Sequence, residues 1–126
     1  MSLVSFACPA DVVAVVSAQS PITVLTQGEV ADLFLGKATH FPNGLHAEPI
    51  DQLEDSAVRN EFYEKVAGKS PAQIKAIWSR IIFTGRGQPP PTVAGNREMK
   101  KALTARPSAI GYIDRDMVDD SVRIVF

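Results

Sequence analysis

Ser56 heads a predicted helix whose first turn carries Ala57, Val58 and Arg59, with Gln52 just upstream in the preceding loop. The first backbone N–H groups of a helix lack intrahelical acceptors, and the aligned peptide dipoles leave partial positive charge there. A small oxyanion at that point would accept hydrogen bonds from the Ser56 hydroxyl and from the amides of Ala57 and Val58. Gln52 can donate from the loop, and Arg59 adds charge if it points the same way. Ser56 is equally an ordinary N-cap, a role that needs no ligand. A second segment, Ser108-Ala-Ile-Gly-Tyr-Ile113, reads as a buried strand.

Other residue groupings carry less chemistry. Gly85-Arg-Gly87 follows a helix and runs into prolines, which is the wrong context for a nucleotide loop. Pro89 to Pro91 read as a stiff surface turn. His40, His46 and Glu48 flank a turn without the spacing of a zinc site, so solvated loop residues are expected. Cys8 stands alone, which excludes an internal disulfide, and nothing pairs it with a histidine in a catalytic pattern. Neither a cofactor nor enzymatic activity is expected.

The elements that must position Ser56 are legible from pattern. Asp11-Val-Val-Ala-Val-Val-Ser17 is a β-branched run of the kind buried on both faces of a sheet. Thr26 with Glu29 forms a capping box, Val30, Leu33 and Phe34 share one face, and Gly36 ends that helix. Phe41-Pro-Asn-Gly44 is a turn. Ala47 to Asp51 reads as a second strand, followed by a helix from Ala57 to Ala67 that Gly68 closes. Ser70 with Gln73 makes another capping box with Pro71 at the first helical position, and Ile74, Ile77, Trp78, Ile81 and Ile82 form an apolar stripe. Thr84 to Gly95 is a loop, Asn96 caps a helix carrying Met99 and Leu103, and Ala109 to Ile113 and Val122 to Phe126 are strands. Strands alternating with helices predict an α/β fold: one lobe with a mainly parallel central sheet and helices on both faces.

Composition agrees with a single folded domain. The chain has 126 residues, 45% hydrophobic and 21% charged, enough to bury a core. Thirteen Lys and Arg against 14 Asp and Glu leave a net charge of −1, without the basic excess of a nucleic-acid binder. No apolar run reaches the ~18 to 20 residues of a membrane helix. Residues 1–10 read as an N-terminal segment, with Met1-Ser2-Leu3 as an expression scar before a mature start, and 11–126 as the lobe.

Taken in order, the first strand, Leu25 to Lys37, Phe41-Pro-Asn-Gly44, Asp51 to Phe62 and Pro107-Ser-Ala-Ile-Gly-Tyr-Ile113 resemble the middle lobe of the phosphate-binding proteins of ABC transporters, the type 2 periplasmic-binding-protein class. The resemblance spans nearly the whole chain from Val12 onward and implies an exported, periplasmic solute-binding-like domain. The family's anion loop has Arg, three residues, then Ser-Gly-Thr. Here those positions are Gln52, then Leu53-Glu54-Asp55, then Ser56-Ala57-Val58. A neutral amide cannot reproduce the bidentate charged grip of a guanidinium on phosphate. Val58 removes a second hydroxyl, and Glu54 and Asp55 add negative charge. The family's first lobe, which supplies the other half of the cleft, has no counterpart in these residues. The resemblance therefore implies weak or vestigial contact with a phosphate-like oxyanion, or a former cleft surface that now docks a protein partner or a second copy in a homodimer. Restoring Arg at 52 with Thr at 58 is expected to strengthen phosphate binding.

Overall fold

The computed structural model describes residues 11–126; Cys8, Pro9 and the expected scar lie outside the described residues. Ten α-helices and β-strands are described in chain order: β1 Val12–Ser17, α1 Gln27–Phe34, β2 Glu48–Pro49, β3 Asp51–Gln52, α2 Ala57–Ala67, α3 Pro71–Phe83, β4 Thr92–Val93, α4 Asn96–Ala105, β5 Ala109–Asp114 and β6 Val122–Ile124, with a short 3-10 helix, Arg115–Met117, between the last two. The main sheet has the order β2-β5-β1-β6, and β3 pairs with β4 in a separate two-stranded ladder.

Strand β1 sits inside the sheet with all six residues buried, as its apolar run requires. Alternation along it feeds two cores. Val12, Ala14 and Val16, with Ile110 and Tyr112 of β5, pack against α1, α2 and α3 through Phe34, Phe62, Tyr63 and Trp78. Val13 and Val15, with Ala109 and Ile113, pack against Met99 and Leu103 of α4. Helices thus cover both faces of the sheet. Gly111 lies opposite Val15 on β5, and a side chain there would overlap Met99 Sδ, so the missing Cβ is what lets α4 approach.

The expected α/β lobe with a central sheet is present, but the strand directions of the main sheet are mixed. Strand β1 runs antiparallel to both β5 and β6, and only β2 is parallel to β5. Burial of β1 on both faces records that both are covered and is silent on which end its neighbours enter from. The expected single strand over Ala47 to Asp51 is split. Glu48 and Ile50 donate backbone bonds to Ser108 and Ile110 in the main sheet, and Asp51 then turns to the Pro91 carbonyl in the small ladder.

The helix ends follow their capping residues. Thr26–Glu29 and Ser70–Gln73 both close reciprocal capping boxes, and Gly68 ends α2 in the left-handed conformation. At α4 the expectation fails. Gly95 occupies the cap without a side-chain bond, and Asn96 is the first helical residue, its amide directed into the lobe.

Candidate oxyanion site at the start of α2

Ser56 caps α2 as its position predicts: the Arg59 N–H donates to Ser56 Oγ at 3.2 Å. The hydroxyl proton points back to Gln52 Oε1 at 3.3 Å, and the Ser56 N–H bonds the Leu53 carbonyl, which folds the loop into a tight turn. The amides of Ala57 and Val58 have no acceptor among the described residues. Of the five candidate residues, these two present free donors at the helix start.

Gln52 faces inward. It is 1% exposed, and its Nε2 donates to the Tyr112 carbonyl at 3.0 Å and to Asn96 Oδ1 at 3.2 Å. Its backbone N–H reaches the Tyr112 hydroxyl at 3.1 Å. Every polar atom of its side chain is engaged within the lobe, so it braces the loop rather than offering a donor to a ligand. Arg59 is likewise committed. Its Nε lies 3.3 Å from Asp51 Oδ1 with its side chain 14% exposed, close enough for ion pairing but not aligned for a hydrogen bond. Its guanidinium carbon stands 5.4 Å from the centre of the Tyr63 ring, within cation–π range.

Behind the helix start lies a buried polar cluster that pattern reading missed. Asp51 accepts from the Tyr63 hydroxyl at 2.6 Å and from the Tyr112 hydroxyl. Burial, and then the Asp51 charge, raises both phenolic pKa values above the ordinary range. Asn96 Nδ2 donates to Asp114 Oδ2 at 2.8 Å, linking α4 to the end of β5. Tyr112 of the Ile-Gly-Tyr segment was visible in the sequence as a buried strand residue. Its meeting with Asp51, 61 positions away, carried no local signal.

The outer surface beside the helix start is acidic. Glu54 and Asp55 are exposed in the loop, and a shallow depression bordered by Ala57, Asn60, Glu61, Glu64 and Lys65 adjoins the first turn. Burial, followed by the charges of Asp114 and Asp11, raises the Glu61 pKa. His40 and His46 meet edge to face with centroids 5.5 Å apart, but Glu48 is taken by Arg106 and Ser108, and no group of three metal-ligating side chains occurs among the described residues.

No protein-family model and no curated protein matches the sequence. Solved structures do match the fold. A Clostridium perfringens protein assigned as a phosphate ABC transporter substrate-binding protein, solved with phosphate bound, superposes with a TM-score of 0.71 at 24% identity, over 91% of this chain and 44% of that one. An ABC-type phosphate transport receptor from Vibrio cholerae gives 0.70 at 21% identity, over 91% and 45%. PstS from Borrelia burgdorferi gives 0.65 at 15%, over 91% and 46%. The chain spans less than half the length of these proteins. Its fold is that of one lobe of the phosphate-transporter binding-protein type, as the order of segments implied.

Proposed function

We propose that this chain is a solute-binding-type domain, exported to the periplasm, that acts by binding and without catalysis, and that it touches a small phosphate-like oxyanion weakly at the start of α2. The observation that carries this is the pair of free amides on Ala57 and Val58 at a Ser56-capped helix start, in a fold shared with phosphate transport receptors. In this proposal Gln52 and Arg59 support the site from behind: one holds the loop and the other neutralises Asp51. Without a guanidinium on the ligand, and with the Ser56 hydroxyl proton spent on Gln52, two amides give modest affinity.

Calorimetric titration with inorganic phosphate and sulfate at low salt, where charge pairing is least screened, tests the proposal. Val58→Thr adds a hydroxyl in the first turn and is expected to strengthen binding. Ser56→Ala is expected to weaken it and to cost about 1 kcal/mol of stability as a lost cap. Gln52→Arg is a poorer restoration than the sequence implied, because it forces a charge into a buried position whose hydrogen bonds are all in use.

A second reading is favoured by the inward commitment of Gln52 and Arg59, the acidic rim, and Leu53, which is 43% exposed in the loop. In that reading the same surface docks a protein, either a second copy or another chain. Absence of heat with both anions in the wild type and in Val58→Thr would select it.

A further inference from the structure

A cavity of about 600 Å³ lies away from the Ser56 helix, at the β2 edge of the main sheet, between α3, the end of α4 and the Pro89–Pro91 loop. Its walls include Leu33, Ile50, Trp78 and Ile81, and its volume falls in the range of small-molecule sites, roughly 300 to 1,000 Å³. Three chemical features define what it can take. The Trp78 Nε1–H is already spent on the Phe34 carbonyl at 3.2 Å, so the indole offers the cavity carbon surface. The outer edge of β2 offers no donor to an added strand: Glu48 and Ile50 turn their amides toward β5, and the residue between them is Pro49. An extended peptide is thereby disfavoured. Of the charged residues lining the cavity, Glu48 and Arg106 cancel in an ion pair at 2.8 Å, which leaves Arg86. Its Nε donates to Thr84 Oγ1 at 3.3 Å, and its terminal nitrogens have no acceptor among the described residues.

We propose that this cavity binds a small amphipathic carboxylate, with the apolar body against Trp78 and Ile81 and the carboxylate on Arg86. The proposal is independent of the oxyanion site, because the cavity shares no residue with the Ser56 turn.

Trp78 is the sole tryptophan of the chain and reports directly on the cavity. Its fluorescence is followed while the full chain is titrated with octanoate, octanol, acetate and inorganic phosphate. Octanoate is expected to give a saturable change, octanol a weaker one, and acetate and phosphate none. Arg86→Gln, at an exposed loop position, should weaken octanoate about two- to fivefold, the span of an exposed charge pair, and leave octanol unchanged. Ala105→Leu, on the exposed end of α4 that lines the cavity, should weaken octanoate and octanol alike. No saturable response to octanoate, equal binding of octanoate and octanol, a matching response to phosphate, or indifference to both substitutions would each overturn the proposal. A phosphate isotherm by calorimetry with a silent Trp78 leaves the two sites separate.

Discussion

The Tyr63 hydroxyl donates to Asp51 Oδ2 at 2.6 Å, which ties α2 to β3 directly behind the Ser56 cap. Tyr112 of β5 donates to the other oxygen of the same carboxylate, and Arg59 balances its charge. One buried anion therefore joins three elements. Tyr63→Phe should cost about 1.5 to 3 kcal/mol, the worth of a hydrogen bond to a charged group. Asp51→Ala should cost about 3 to 5 kcal/mol, because it strands Arg59 and two hydroxyls. Urea denaturation with an unchanged slope measures both; losses below about 0.5 kcal/mol would mean that the cluster is hydrated.

Alkaline pH should expose the same cluster. Both tyrosines are held above the ordinary value of 10.0 by burial and then by the Asp51 charge. Below about pH 10 the native and unfolded chains both keep these protons, and the contribution to stability is complete. Above it the unfolded chain releases protons that the native chain retains, so stability falls as pH rises, by about 1.4 kcal/mol per tyrosine for each pH unit. Urea midpoints measured on both sides of pH 10 should show this decline, and Tyr112→Phe should make it roughly half as steep.

Neighbouring residues of α3 should differ sharply. Trp78 is buried, bonded to the Phe34 carbonyl and packed where Gly36, at φ +77°, lacks a Cβ that would lie 3.0 Å from the indole. Trp78→Ala should cost ~3 to 5 kcal/mol. Ile82 and Phe83 are 50% and 93% exposed, so Ile82 leaves the stripe to which its spacing assigned it. Phe83→Ser should change stability by less than about 0.5 kcal/mol. Denaturation midpoints compare the two. Sedimentation of Phe83→Ser beside the wild type shows whether this exposed ring contributes to self-association.

On the other face of the sheet, Gly111→Ala drives a methyl into Met99 and should cost about 1 to 3 kcal/mol by overpacking. Met99→Ala empties a buried site at about 2 to 5 kcal/mol. The double variant should be destabilised by less than the sum, since one change makes room for the other. Strict additivity in a double-mutant cycle would show that the two residues do not share this contact.

Local chemistry is what the sequence carried. The capping boxes at Thr26 and Ser70, the αL glycine at position 68 and the Ser56 cap each depend on residues within four positions of one another, and all appear as expected. The buried run of β1 and the order of segments were enough to indicate an α/β lobe of phosphate-transporter binding-protein type. Strand direction, the split of β2 from β3 and the inward turn of Asn96 depend on how distant segments approach, and no short window contains that information.

The sequence alone determined that a helix begins at Ser56 with free amides, and that neither Arg at 52 nor Thr at 58 is present to grip an anion. Only the tertiary structure decided where Gln52 and Arg59 spend their donors. Asp51, Tyr63, Tyr112 and Asn96 converge behind the helix from separate elements, and a buried carboxylate and a buried amide must be satisfied by whatever packs against them. That demand, set by burial and not by spacing, turns both side chains away from solvent and leaves the backbone amides of Ala57 and Val58 as the free donors of the first turn.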